Sequence, residues 1–266
     1  IAFLLLYIQA TLFNRIFNAL KLLPKPNYLP AMAYILLSSL FEEWNQFSAP
    51  LLINTLLIWS FYRMTALYNT NKANYGVFNI GLMLGVITLF YQPAIVFILL
   101  LIPFTLFIMR PFRLREWLIG LLGITTPYYF LGVLLFITDR FRWQDIIPAI
   151  SFDVPVMPSS ILFTISICLL VIPFIMGGYF VQDNLNKMLI QVRKSWSLML
   201  IFLIISLVMI IVNEGNRYVS WLCSIVPLSA FHAAAYYYID NKLLSRVMFW
   251  LVFGYAMYLN YSQILT

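Results

Sequence analysis

Residues 160–180 read SILFTISICLLVIPFIMGGYF, a run of 21 residues without a charged side chain. A helix needs about 20 mostly apolar residues to cross a lipid bilayer, so this stretch predicts a transmembrane helix. Its apolar residues do not alternate with polar ones, and this argues against a strand of a membrane β-barrel. The stretch therefore predicts an all-helical protein that is embedded in a membrane.

The composition of the whole chain agrees with this prediction. Of the 266 residues, 63% are hydrophobic and only 9% are charged, whereas an ordinary soluble domain has roughly 25% charged residues. So few charges could not cover the surface of a soluble protein of 31.0 kDa. The composition excludes a soluble enzyme, a nucleic-acid binder and a disulfide scaffold, and both cysteines, Cys168 and Cys223, fall within predicted spans.

The same apolar window, applied along the chain, predicts one integral membrane domain over residues 1–266, with about ten spans and no soluble domain. No initiating Met precedes Ile1, so we expect at least one further helix upstream in the natural chain. The predicted spans are residues 1–20, 29–41, 50–67, 76–90, 93–109, 117–137, 160–180, 197–212, 219–239 and 247–264.

The distribution of Lys and Arg predicts the orientation of these spans, because basic residues are retained on the cytoplasmic side of a membrane. Thirteen of the 16 Lys and Arg residues fall on one side, and Arg140, Arg142 and Arg217 fall on the other. Six of the nine acidic residues, among them Glu42 and Glu43, share the side that has few basic residues. We therefore predict that the thirteen basic residues are cytoplasmic and that these two glutamates are outside.

The interior of the spans offers little chemistry. No Asp, Glu, Lys or Arg lies near the middle of a predicted span, which argues against a pump or an ion-coupled transporter. For His232 we favour a neutral imidazole that is hydrogen-bonded to a neighbouring helix, and a proton or ligand role is the alternative. Gly81 and Gly85 predict close packing of their helix within the chain, with dimerisation as the alternative.

Two of the predicted spans are short. Residues 29–41 and 76–90 would extend only about 20–22 Å as helices, less than the hydrocarbon core of about 30 Å. Non-helical backbone below the membrane surface is tolerated where it lines a cavity. We predict an outward-opening recess with Glu42 and Glu43 at its edge; the alternative is that the first of these helices continues and the glutamates lie among the lipid headgroups.

The predicted outer polar residues include carboxylates and arginines but no His or Cys, so a zinc site is not expected. A carboxylate can activate a hydroxyl group or hold a divalent cation, the one candidate cofactor, and an arginine can bind a phosphate as it leaves. This combination predicts group transfer from a phosphate-linked lipid, with solvated loop charges as the alternative. The candidate catalytic residues are Glu42 and Glu43, and the candidate lipid-phosphate-binding residues are Arg217, Arg140 and Arg142.

Four stretches resemble an uncharacterised family of polytopic bacterial inner-membrane proteins. They are VFNIG at residues 77–81, LFYQP at 89–93, RPFRLREW at 110–117 and GITTPY at 123–128, and the pattern RPF-x-x-REW is the most specific of them. The resemblance covers most of the chain. It implies a multi-pass protein of the bacterial inner (plasma) membrane, and it implies no activity because that family has none established.

The chain is also distantly similar to the GT-C superfamily of membrane glycosyltransferases, which use polyprenyl-phosphate sugars. The similarity rests on the acidic loop at Glu42 and Glu43, on the small-residue helix of Gly81, and on NRY at residues 216–218 followed by Pro227. It implies a GT-C-like arrangement in which the arginine of NRY faces the lipid phosphate. The principal catalytic carboxylate of that superfamily lies in its first outer loop, which would precede the first residue of this sequence.

The sequence thus leads to two hypotheses about function. The first is a GT-C-like glycosyltransferase at the outer face of the bacterial inner membrane, with a polyprenyl-phosphate sugar as donor and no nucleic acid as partner. In it, Arg217, or else Arg140 or Arg142, binds the phosphate, and Glu42 or Glu43 orients an acceptor hydroxyl or a metal ion. The alternative is a non-catalytic subunit or scaffold of a larger cell-envelope complex, with other membrane proteins as partners.

Overall fold

A computed structural model describes residues 2–68, 70, 73–98, 102–111, 113–142, 160–212 and 217–262, and within these ranges the chain is helical with no β-strand. Short 3₁₀ or α-helical turns connect several of the helices. The helices are α1 (Ala2–Ala19), α2 (Leu29–Ser38), α3 (Ala49–Thr65), α4 (Ala73–Phe90), α5 (Ile102–Met109), α6 (Leu114–Ile137), α7 (Ile161–Asn184), α8 (Ile190–Val208), α9 (Ile225–Tyr238) and α10 (Lys242–Ser262).

Five of the described helices are long and apolar enough to cross a membrane, which is consistent with a membrane protein. Every predicted span contains one of the helices, but α2, α5 and α9 have only 10, 8 and 14 residues. The count of ten spans therefore stays a prediction. The five long stretches are Ala73–Phe90, Leu114–Ile137, Ile161–Lys187, Ile190–Val208 and Lys242–Tyr261.

Several helix boundaries differ from the predicted ones, and three of the differing helix starts show why. Helix α4 begins at Ala73 rather than at residue 76, so at 18 residues it extends about 27 Å, and the prediction that it is short was wrong. Helices α8 and α10 begin at Ile190 and Lys242, several residues before their predicted starts. The reason is that hydropathy detects the apolar part of a helix only, whereas backbone hydrogen bonding continues through its polar and basic ends.

The short helices α2 and α9 are largely buried, whereas the long helices α6 and α10 are largely exposed. Twelve of the 14 residues of α9 are buried, and α9 lies against α2, α7 and α8. In the apolar windows of α6 and α10, by contrast, only 17% and 11% of residues are buried inside the protein. Large apolar side chains such as Trp250 and Leu251 are exposed on α10. Such surfaces match a lipid environment, which is as apolar as these side chains.

Hydrogen bonds between residues that are distant in sequence join residues of the same predicted side. At one end, the indole nitrogen of Trp196 donates a hydrogen bond to the carbonyl oxygen of Leu22 at 3.2 Å. At the other, the side-chain amide of Asn260 donates to the carbonyl oxygen of Ser39 at 3.2 Å. Each pair joins residues that the charge distribution predicts to share a side. We call the end with Trp196 the inner end and the end with Asn260 the outer end.

Glycine permits the closest helix contacts. A Cβ atom on Gly81 would overlap the carbonyl oxygen of Gly120, and one on Gly85 would lie 2.6 Å from the carbonyl oxygen of Ile124. The predicted close packing within the chain is therefore confirmed, and its partner is α6. Helices α7 and α9 meet in the same way, because a Cβ on Gly177 would overlap the carbonyl oxygen of Phe231.

A buried polar network joins the first three helices. The Tyr34 hydroxyl donates to Oε1 of Gln9 at 2.7 Å and accepts a hydrogen bond from the amide of Asn54 at 2.8 Å. The Gln9 amide also donates to the carbonyl oxygen of Leu51 at 2.6 Å and to Oγ1 of Thr55 at 2.8 Å. No sequence pattern distinguishes these residues from the other polar residues of the spans. Their mutual pairing offsets the cost of burying polar groups.

Adjacent glycines in α7 provide a matched test of this packing. We expect Gly177→Ala to destabilise the protein by about 1–3 kcal/mol, because its new methyl group meets backbone atoms that must move apart. We expect Gly178→Ala to be neutral or slightly stabilising, since nothing lies within 4 Å of its Cβ position. Thermal unfolding in detergent measures both. Equal melting temperatures for the two variants would contradict the α7–α9 contact.

The network of Tyr34 makes a second prediction. Tyr34→Phe keeps the ring but removes the hydroxyl that pairs with Gln9 and Asn54, and we expect it to cost about 1 kcal/mol of stability. The matched control is Tyr75→Phe, whose ring is 71% exposed. Thermal unfolding should separate the two variants, and a Tyr34→Phe variant as stable as the control would show that the network contributes nothing.

Candidate functional site

A polar cleft of about 260 Å³ lies at the outer end, between the end of α2, the beginning of α7 and the end of α10. Glu43 is the one acidic residue among the described residues that line it, and it is half-buried. The other polar residues of the lining supply hydroxyl and amide groups that can bond to a polyhydroxylated ligand. They are Ser39, Ser160, Ser166 and Asn260.

The early end of α2 is the reason that Glu43 reaches this cleft. The helix ends at Ser38, the backbone becomes extended at Phe41, and residues Glu42–Asn45 form a 3₁₀ turn. Trp44 is fully buried and its ring centroid lies 4.5 Å from that of Phe41, so packing of these two rings holds the turn in place. The structure thus has a cleft at the predicted position, with Glu43 in its lining, and its opening toward the outside of a membrane stays a prediction. The side chain of Glu42 lies outside the described residues.

Arg217 begins a short helical turn, Arg217–Ser220, that lies beside the Glu42–Asn45 turn. The hydroxyl groups of Ser220 and Tyr91 are 2.6 Å apart in a hydrogen bond, which ties this turn to the outer end of α4. The side chain of Arg217 lies outside the described residues. The backbone nevertheless brings together the two turns that carry the predicted acidic and phosphate-binding residues, although 174 positions separate Glu43 from Arg217.

Arg140 and Arg142 have a different position. They follow the end of α6, they are exposed, and neither lines the cleft of Glu43. Helix α6 packs chiefly against α4, so its outer end lies to one side of the α2–α7–α10 cleft. Of the three predicted phosphate-binding arginines, only Arg217 belongs to a turn that borders the acidic turn.

An apolar cavity of about 240 Å³ adjoins the cleft and was not anticipated from the sequence. Phe41 lines both spaces, and the cavity extends between α7, α8 and α9. Its lining residues Val171 and Leu207 are 37% and 47% exposed, so the cavity opens sideways between α7 and α8. No sequence signal could have found it, because its residues belong to the same apolar class as those that face lipid.

Aromatic rings form the boundary between the two spaces. The rings of Phe163 and Trp221 stack with centroids 6.0 Å apart, and Phe41 lies edge-on to both. Phe163 lines the cleft, whereas Trp221 lines the cavity. A ligand with a polar head and an apolar tail would therefore contact these rings where the two spaces meet.

His232 is structural, as the favoured sequence interpretation predicted. Its ring is buried in α9, and Nε2 donates a hydrogen bond to the carbonyl oxygen of Leu170 in α7 at 2.8 Å. Leu170 lies one turn before Pro173, whose ring disturbs the hydrogen bonds of the preceding turn in a helix. The imidazole thus satisfies a carbonyl group near a helix irregularity and fixes α9 against α7.

Metal-ligating side chains do not cluster in the described part of the chain. No group of three or more His, Cys, Asp and Glu side chains there could hold a metal ion. A divalent cation therefore has no ligand set among these residues.

These features define a class of protein: an all-helical chain with several helices of membrane-spanning length, and a polar cleft and an apolar cavity that meet at one end. The chain belongs to the family of unknown function DUF6427, which it matches over residues 1–265. It matches no curated protein and no solved structure. Family membership supplies no activity, so similarity to the GT-C superfamily remains a hypothesis.

Cysteine labelling tests the outer position of the cleft. In a background that lacks Cys168 and Cys223, we expect Glu43→Cys to react with a membrane-impermeant maleimide added outside intact cells. Arg113→Cys, at the inner end, should react only after the membrane is opened. Mass spectrometry of the purified protein measures the labelled fraction. Labelling of Arg113→Cys but not of Glu43→Cys in intact cells would reverse the orientation.

Proposed function

We propose that this protein is a GT-C-like membrane glycosyltransferase that takes a sugar from a polyprenyl-phosphate donor at the outer face of the bacterial inner membrane. One observation carries the proposal: the apolar cavity and the cleft of Glu43 meet at Phe41, beside the paired turns Glu42–Asn45 and Arg217–Ser220. The parts of a lipid-linked sugar match these features in the same order: an apolar chain, then a phosphate, then a polar sugar.

The apolar cavity would hold the first part of the polyprenyl chain. Its described lining is almost wholly apolar, with Ser224 as the one hydroxyl residue among these residues, and burying a prenyl chain there needs no polar partner. The opening between α7 and α8 lets the rest of the chain remain in the bilayer. A water-soluble donor would gain nothing from such an opening.

Arg217 is the phosphate-binding residue in this proposal. Its guanidinium would neutralise the phosphate of the donor and stabilise the charge that grows on it as the sugar–phosphate bond breaks. The neighbouring carboxylates would repel a phosphate, so the arginine is needed at this position for the donor to bind. Arg140 and Arg142 are less suitable because they do not line the cleft.

Glu43 is the proposed catalytic base. The acceptor hydroxyl oxygen forms a bond to the anomeric carbon, the bond from that carbon to the phosphate oxygen breaks, and polyprenyl phosphate leaves with the electron pair. The proton of the hydroxyl passes to the carboxylate of Glu43. Glu42 is the alternative base because it lies in the same turn. The hydroxyl groups of Ser39 and Ser160 in the cleft would orient the acceptor.

Substitutions at the polar end test these roles. We expect Glu43→Gln to lower sugar transfer about 100-fold or more while donor binding is kept, because a general base contributes roughly that much. We expect Arg217→Ala to lose both donor binding and transfer. Arg140→Ala, which removes an equal charge from an exposed position, is the control and should keep both. The measurement is transfer from radiolabelled polyprenyl-phosphate sugars in membranes, with donor binding followed by native mass spectrometry.

The scaffold hypothesis predicts another result. A non-catalytic subunit would bind no donor in any variant and would co-purify with stoichiometric partners from native membranes. If Arg217→Ala leaves donor binding unchanged, Arg217 does not bind the phosphate, and this holds whether or not the variant still transfers sugar.

A cavity-filling substitution tests the lipid tail separately. Leu207→Trp would fill the mouth of the cavity, and we expect it to weaken donor binding about tenfold through lost prenyl contacts. Ile204→Trp lies on the same helix, is exposed and does not line the cavity, so it should bind donor normally. Equal donor affinity in the two variants would show that the tail binds elsewhere.

A further inference from the structure

A second polar pocket, of about 430 Å³, lies at the inner end. Three separate parts of the chain form it: the connection after α3, the connection between α5 and α6, and the first turns of α8. Its lining includes Arg110 and Arg113 from the second of these parts and Lys194 from the third. These residues are far apart in sequence, so the pocket exists only in the folded protein.

Arg110 builds the wall of this pocket. Its Nε lies 3.2 Å from Oε2 of Glu116, and its guanidinium donates to the carbonyl oxygens of Leu67 and Thr70 at 3.3 and 2.7 Å. The Glu116 side chain is only 4% exposed, so this ion pair is shielded from water. Arg110 thus fixes the end of α3 against the beginning of α6 and neutralises the buried carboxylate.

Two further cationic side chains of the lining, those of Arg113 and Lys194, are available to bind a ligand. Arg113 is 64% exposed and its guanidinium lies 4.0 Å from Oε1 of Glu116, at the limit of an ion pair. The ammonium of Lys194 lies 5.0 Å from the centre of the Tyr68 ring, a contact that orients it and uses none of its N–H donors. With Arg110 and Glu116 paired, the described residues of the lining have an excess of two positive charges.

Retention of basic residues on the cytoplasmic side explains these charges but does not explain the pocket. Arg115 and Arg193 are immediate or near neighbours of the lining residues in sequence and carry the same charge, yet neither lines the pocket. The pocket is concave, polar and bounded by a buried ion pair. Basic pockets between helices at the cytoplasmic side of membrane proteins bind the headgroups of anionic lipids.

We infer that this inner pocket binds a phosphate group, carried by an anionic phospholipid of the inner leaflet or by a small soluble phosphate. Arg113 offers a planar pair of N–H donors that fits two phosphate oxygens, and Lys194 supplies a point charge. Helix α6 begins directly after Arg113, so the positive end of its dipole adds to the same potential. The inference is independent of the proposed transferase activity.

Lipid binding to the full chain in an uncharged detergent tests this site. We expect phosphatidylglycerol to bind more tightly than phosphatidylcholine, as measured by native mass spectrometry and by the rise in melting temperature. The double variant Arg113→Gln, Lys194→Gln should weaken phosphatidylglycerol binding about tenfold or more. The double variant Arg115→Gln, Arg193→Gln removes the same charge outside the pocket and should change binding less than about twofold.

The two sources of phosphate are separated by a second titration, with inorganic phosphate alone. Stabilisation by inorganic phosphate that the pocket variant loses indicates a soluble ligand, whereas a response to phosphatidylglycerol only indicates a headgroup; either supports the site. A charge-preserving variant, Arg113→Lys with Lys194→Arg, should keep binding and excludes misfolding as the cause. If both double variants lose the same affinity, or neither loses any, the pocket is not a phosphate site.

Discussion

Backbone hydrogen bonding in an apolar environment is the constraint on which this structure depends. Every N–H and C=O group inside a bilayer needs a partner within the protein, which explains why helices make up most of the described chain. Where α2 ends early, its non-helical continuation must be covered by protein. The buried rings of Phe41 and Trp44 provide that cover, and the recess forms beside them. The candidate site is thus a consequence of the early end of α2 at Ser38.

Close helix contact is the second requirement, because apolar side chains gain little by moving from lipid into the protein. Gly81 and Gly177 let backbones touch, and the His232 hydrogen bond to Leu170 adds a specific link between α7 and α9. The buried network of Tyr34 serves the same purpose between the first three helices. Polar and small residues, rather than the apolar majority, therefore decide which helices are neighbours.

This difference between the roles of the apolar majority and of the polar and small residues explains which features the sequence could predict. Hydropathy located a helix in every predicted span, and the charge pattern grouped residues such as Ser39 and Asn260 that the structure joins. The short predicted span at residues 29–41 put Glu43 at the edge of a recess, and Glu43 lines a cleft there. Neither signal encodes which helices adjoin, so the apolar cavity at Leu207 and the displacement of Arg140 from the cleft could not be foreseen. Only a folded chain distinguishes a cavity-lining leucine from a lipid-facing one.

The cleft at the outer end contains a carboxylate, whereas the pocket at the inner end is basic. The distance between them makes the two proposed sites independent. Helix α6 begins directly after Arg113 at the inner pocket and ends directly before Thr138 at the outer end, and its 24 residues span about 36 Å. At physiological salt, interactions between exposed charges are largely screened beyond about 8 Å. A phosphate bound near Arg113 would therefore leave the potential around Glu43 almost unchanged. Any coupling between the two sites would have to pass through helix displacement, and the glycine contacts of α4 and α6 resist such displacement because their backbones already touch.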